Sequence, residues 1–93
     1  MAEVRLSRRA VKDLDGLSVR DRKSVVAALE RLAANPSDPS LDVKPLVGRR
    51  PWRRLRVRNF RVLFHLYDSQ RTLLVARVID RKELEQAVLS LPD

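Results

Sequence analysis

An α+β domain in the order β-α-α-β-β-β-α is the fold this sequence predicts, with an N-terminal strand, a helical hairpin packed on a small, largely antiparallel sheet, and a C-terminal helix. Three observations carry it. Two stretches with helical apolar spacing and serine caps lie side by side near the N-terminus. The segment WRRLRVRNFRVLFHLYD at 52–68 alternates cationic and apolar residues with a period of two. Finally, TLLVARVI at 72–79 is a short, nearly continuous apolar run, as expected of a strand buried on both faces.

In chain order, residues 2–6 read as a first strand with Val4 and Leu6 pointing inward. Ser7 caps a helix running to about Leu17, with Ala10, Val11, Leu14 and Leu17 on one stripe and Gly16 near its end. Ser18 followed by Asp21 resembles a capping box and opens a second helix, whose Val25, Leu29, Leu32 and Ala33 share a face. Asn35-Pro36 ends it. Residues 35–51 carry Pro36, Pro39, Pro45, Gly48 and Pro51, and read as an ordered loop with Leu41, Val43, Leu46 and Val47 tucked against the domain. The alternating segment then gives two strands with Arg58-Asn59 as the turn, and Asp68-Ser69-Gln70 turns the chain into the apolar strand. Asp80 caps a last helix, with Glu83 as the reciprocal acceptor. Leu84, Ala87, Val88 and Leu91 form its apolar stripe, and Pro92 ends it.

With 93 residues there is room for one modest core, so residues 1–93 read as a single domain. Neither an internal repeat nor a linker interrupts it. Absence of cysteine excludes disulfides and thiolate metal sites and suits a cytoplasmic protein. No apolar run approaches the length of a membrane span, so no membrane partner is expected. The two glycines cannot build a phosphate loop, and one histidine among scattered acids makes no metal site, so the expected cofactors and metals are none.

Charge is unevenly placed. Lys and Arg number 20 against 12 Asp and Glu, and eight of the cations (Lys44, Arg49, Arg50, Arg53, Arg54, Arg56, Arg58 and Arg61) lie between Asp42 and Asp68 with no carboxylate among them. The whole net charge of +8 therefore sits in that block. Such a block favours a polyanion, and arginine in preference to lysine favours nucleic acid, because guanidinium groups clasp phosphate oxygens and stack on bases. An Arg-enriched composition displayed as a solvated face is the plainer alternative. Lys44, Arg53, Arg54, Arg56 and Arg58 are the candidate RNA contacts. Trp52 joins them as a ring for base stacking, whereas Phe60 reads as packing by parity.

Residues LSRRAVKDLDGL, ALERLAANP, KPLVG, LRVRNFRVLF and LLVARVIDRKE, in this order over nearly the full length, resemble the RelE/ParE superfamily, the toxic halves of bacterial toxin–antitoxin pairs. The hairpin at 55–64 is similar to the family's strand-turn-strand. RelE-like members cut mRNA on the ribosome by attack of a ribose 2′-hydroxyl on the adjacent phosphate. The resemblance therefore implies that Arg61, after the hairpin aromatic, and Arg81, at the end of the last strand, stabilise the phosphate and transition state. It gives Arg54 and Arg56 to RNA positioning. It further implies no cofactor, and as partners the ribosome, mRNA and an acidic cognate antitoxin, in a dimer or a toxin–antitoxin hetero-oligomer. That antitoxin would contact the basic strand; the stripe of Leu84, Val88 and Leu91 is a second candidate contact, though it reads first as the face by which the last helix packs on its own domain.

The sequence departs from the RelE-like pattern at two places. Residues 82–88 hold no tyrosine, the nearest position being Glu85, and Asp80 stands where the family has histidine. Arginine is a poor proton donor, which leaves His65 and Tyr67, sharing strand parity with Arg61, as catalytic substitutes. Two other readings follow: a ParE-like toxin that binds DNA gyrase without chemistry, and a degenerate homologue that binds RNA or ribosomes.

Overall fold

Serine hydroxyls start both helices of the N-terminal hairpin. In the computed structural model, which describes residues 1–91, Ser7 accepts from the Ala10 N–H at 3.0 Å and opens α1 (Arg8–Asp15), and Ser18 accepts from the Asp21 N–H at 3.1 Å and opens α2 (Val19–Ala34). Arg22 braces the α1–α2 junction by donating to the carbonyl oxygens of Leu14 (3.0 Å), which also accepts from the Leu17 N–H, and of Leu17 (3.2 Å). Ala10, Leu14, Val25, Leu29, Leu32 and Ala33 are the buried residues of the pair.

Before this hairpin comes β1 (Glu3–Leu6), and after it β2 (Asp42–Pro45), β3 (Arg53–Val57), β4 (Phe60–Tyr67), β5 (Thr72–Asp80) and the short helix α3 (Leu84–Leu89). The strands form one sheet in the order β1-β5-β4-β3-β2, with β1 parallel to β5 and the other pairs antiparallel. Residues 35–51 thus contain a strand where the sequence reads as loop. Its register, Asp42 opposite Arg56 and Pro45 opposite Arg53, covers the outer edge of β3, and a proline is tolerated at a strand end on a sheet edge. Proline density had hidden those four residues.

A first core lies between the sheet and the α1–α2 hairpin, where Leu55, Val62, Phe64, Leu73, Val75 and Val78 meet the buried helix residues. A second, smaller core lies on the opposite face, where Leu46, Trp52, Leu63 and Ile79 pack under Ala87 and Leu91. Both faces of β5 are apolar, as the run at 72–79 dictates, and an irregularity in its pairing decides which residue falls on which. Leu63 faces Arg77 and Phe64 faces Val75, so Ala76 is extra, and the bulge shifts the strand's parity halfway along. Leu73, Val75 and Val78 enter the first core, while Leu74, Ala76 and Ile79 serve the second.

Beyond the end of β1 the edge of β5 is closed by a side chain. Asp13 on α1 accepts from the Val78 N–H at 2.9 Å and from Arg77 Nε at 2.8 Å. This hydrogen bond from the Arg77 guanidinium to Asp13 raises the Arg77 pKa above its ordinary value. On the far side, Arg49 donates to the carbonyls of Val88 (2.8 Å) and Leu89 (3.0 Å), giving α3 its C-terminal partners.

Five expectations need correction or limits. Val11, expected on the apolar stripe of α1, is 43% exposed. Val4 and Leu6 are exposed, because an edge strand of four residues extends past the cover of the helices. Val47 is 98% exposed at the tip of the 46–51 turn, beside Gly48 in its left-handed conformation (φ 73°). Asp80 caps a 3-10 turn at Arg81–Glu83 ahead of α3, through the Lys82 N–H at 2.9 Å. Pro92 lies outside the described residues. Among the described residues no helix is long and apolar enough to cross a membrane.

Candidate functional site: an arginine cluster on the sheet

Strand parity places the site. In the β3–β4 hairpin Leu55 pairs with Val62 on the first-core face, so Arg54, Arg56, Arg61 and Leu63 fall on the other. Arg56 and Arg61 are direct cross-strand partners. Directly opposed residues stand about 5 Å apart, and like charges there repel. Arg58, the first residue of the two-residue turn, adopts φ 55°, as the first central residue of a primed hairpin turn must. Arg81 arrives from β5, its N–H donating to the Asn59 carbonyl at 2.8 Å, which ties the start of the 3-10 turn to the hairpin tip.

Arg61 is at the centre of this arrangement. It is half-buried, and its guanidinium turns back to donate to the carbonyls of Phe60 (3.0 Å) and Arg58 (3.2 Å). Burial, and after it the charges of Arg56, Arg54 and Arg81, pull its pKa below the ordinary arginine value, with Asp42 acting weakly the other way. Arg54 meets the Asp42 carboxylate at 3.3 Å. Among the described residues Arg56, Arg61 and Arg81 have no carboxylate within ion-pair distance. The result is a positive patch whose charge is only partly neutralised.

The structure brings together some predicted residues and separates others. Arg54, Arg56, Arg61 and Arg81 gather, Lys44 pairs opposite Arg54, and Arg58 stands at the tip. Arg53 has the parity of Leu55 and is exposed at the strand's start, away from the cluster. His65 and Tyr67 share the cluster's face but lie at its other end. His65 is four residues, about 13 Å of strand, from Arg61, with buried Leu63 between. Their rings pack together, centroid to centroid 3.8 Å, and His65 also meets Trp52 at 5.8 Å. Trp52 is 6% exposed and packs in the second core, a placement that sets it among core residues and apart from the arginines. Glu85 is an exposed residue of α3. Missed by the sequence reading was Asp42, the carboxylate nearest the cluster, whose only signal was its position at the edge of the acid-free block. No group of three or more metal-ligating side chains occurs among the described residues.

Residues 4–85 match the family described as the ParE toxin of the type II toxin–antitoxin system parDE. No curated protein matches the chain. Among solved structures, the toxin–antitoxin complex RelBE2 of Mycobacterium tuberculosis is 30% identical, with a TM-score of 0.70, covering 86% of this chain and 98% of that one. The RelB-RelE antitoxin-toxin complex of Methanococcus jannaschii is 25% identical, with a TM-score of 0.72, over 88% of this chain and 95% of that one. A free-state mutant of the E. coli toxin RelE shares the fold, at 19% identity and a TM-score of 0.75, over 97% and 93% of the two chains.

Proposed function

Since the chain belongs to the RelE/ParE superfamily as a toxin of a type II toxin–antitoxin system, we propose that it is a ribosome-dependent mRNA endonuclease that inhibits translation. The observation that carries this reading is the cluster of Arg54, Arg56, Arg61 and Arg81, gathered at one end of a sheet face and short of counter-charge. In transesterification the 2′-oxygen attacks the adjacent phosphorus and the 5′-oxygen leaves. The phosphorane between them carries more negative charge than the starting diester. Arg61, held by two carbonyls, and Arg81, held through the hairpin tip, stabilise that added charge. Arg54 and Arg56 seat the flanking chain, with Lys44 beside them. His65 and Tyr67 stay with the aromatic packing at the far end of the face, and the reading gives them no contact with the scissile phosphate.

The partner that silences this surface is an acidic antitoxin, in keeping with the complexes in which similar toxins are seen. Its acidic side chains neutralise the cluster, which removes the anion site from competition.

The test is a reconstituted translation system in which mRNA ends are mapped by primer extension, for wild type and Arg61→Ala. Cuts within codons that need ribosomes and vanish in the variant are expected. Intact mRNA in the wild-type reaction would reject the nuclease reading.

The match to the ParE family favours one second reading, a toxin that poisons DNA gyrase by binding it. Its mark is inhibition of supercoiling by the purified protein with no ribosomes present.

A further inference from the structure

Behind the arginine cluster, where the chain leaves α2 and enters β2, a cleft of about 510 Å³ opens between α2 and the end of β3. Ala27 and Ala28 from α2, Val57 from β3 and Leu41 give it an apolar lining, and three arginines, Arg31, Arg56 and Arg58, stand around it against one carboxylate, Asp42. We infer that this cleft is a second RNA subsite, which takes one nucleotide of a single strand next to the one held at Arg61. The inference rests on the reading of the arginine face as an RNA surface and extends that surface around the edge of the sheet.

Arg56 makes the connection, because it belongs to both places. It pairs across the hairpin with Arg61 and also lines the cleft. Arg58 follows two residues on, at the exposed hairpin tip. Neither has a carboxylate partner among the described residues. Arg31 is fixed differently. It donates to Ser40 and stands 3.4 Å from Asp38, which braces the loop that forms the cleft's outer wall. Within that wall the Ser40 hydroxyl and N–H hold the Asp38 carboxyl below its usual range, so it stays an ionised anchor for Arg31.

A row of guanidinium groups beside a lining of apolar side chains matches the two parts of a nucleotide. The phosphate takes the charge, while the flat base lies on the apolar lining. An acidic peptide would use the charge equally well but has no flat ring for that lining. Continuity with the Arg61 cluster also favours one chain passing through both places.

Binding of a fluorescent six-nucleotide single-stranded RNA to the full chain, followed by anisotropy across a salt series, tests this. Ala27 is exposed on α2, one turn before Arg31, so Ala27→Glu places a negative charge in the cleft at a helix-compatible position. The expected result is binding weakened about tenfold, with Ala27→Gln within about twofold of wild type to exclude a purely steric effect. Arg58→Ala should lower the slope of log K against log salt by about 0.7, the value for one lost single-strand phosphate contact. RNA binding unchanged in both Ala27→Glu and Arg58→Ala overturns the subsite. So does a loss of affinity for a polyglutamate peptide alone, which would make the cleft a protein site. Loss of ribosome-dependent cleavage in the wild-type assay, with the Ala27→Glu effect on RNA binding intact, would sink the nuclease reading and leave this subsite standing.

Discussion

The two faces of the β3–β4 hairpin use neighbouring residues for opposite purposes. On one face Leu55, Val62 and Phe64 are buried to within 1% against the α1–α2 hairpin. On the other, Arg54, Arg56 and Arg61 crowd together, and burial and mutual repulsion depress the Arg61 pKa. The first face gains stability from every side chain it holds, and the second gives some of it up to keep like charges together. Period two makes this possible, since a one-residue step moves a side chain from one face to the other. Fold and most of the site are thus written into the same eleven residues, 54–64.

The comparison breaks most easily at Phe64. Truncating it to alanine removes a fully buried ring and leaves a cavity, at a cost of about 3–5 kcal/mol in chemical denaturation. Activity per folded molecule should be unchanged. Next in size is Arg61→Ala, which should lower mRNA cleavage about 10²–10³-fold, as loss of a preorganised donor to a developing negative charge does. Here the melting temperature should hold or rise. A fall of several degrees in the Arg61→Ala melting curve would mean that the two faces are not independent. His65→Gln sharpens the point within the second face: its ring packs on Tyr67, and cleavage should change less than about threefold. A loss as large as that of Arg61→Ala would instead make His65 part of the chemistry.

Smaller is the effect expected at the sheet edge that both faces share. Asp13→Ala removes the acceptor of the Val78 N–H and strands the Arg77 guanidinium, costing about 2–3 kcal/mol. Because Arg77 has a raised pKa in the folded state, its share of that stability is complete below its unfolded value and disappears only in strong alkali. The difference between wild type and Asp13→Ala should therefore stay constant from pH 6 to pH 9 in urea melts.

Much of the fold was legible because its signals were local. The serine caps at Ser7 and Ser18, the helix stripes, the Arg58-Asn59 turn and the run at 72–79 each follow from residues within a few positions of one another. β2 was not legible, since Asp42–Pro45 has little strand character of its own and is a strand only because β3 offers an unpaired edge. The parity of Arg54, Arg56 and Arg61 was readable from alternation, and Arg81 came in through the family resemblance. What alternation could not show is position along the face. His65 shares the parity of Arg61 and still lies at the other end, and Trp52 closes into a second core whose members, Leu46, Ile79 and Leu91, come from three distant parts of the chain. The bulge at Ala76 is likewise a property of the pairing, and nothing in TLLVARVI announces it.

The smallest effect tests the premise of the comparison, that the arginine face gives up stability for its site. Arg56 stands directly opposite Arg61 and is exposed, without a carboxylate partner among the described residues. Arg56→Gln leaves a shorter but still polar, hydrogen-bonding side chain while removing one of the charges that depress the Arg61 pKa. Relief of one like-charge cross-strand pair should stabilise the fold by about 0.2–1 kcal/mol, and the gain should shrink as salt rises and screens the repulsion. RNA affinity should fall in the same variant, with a shallower salt dependence. Stability rising while binding falls is the pattern of a site maintained against the fold's own preference. If Arg56→Gln instead lowered the melting temperature at low salt, the arginines would be stabilising one another's surroundings, and the contrast between the two faces would have to be given up.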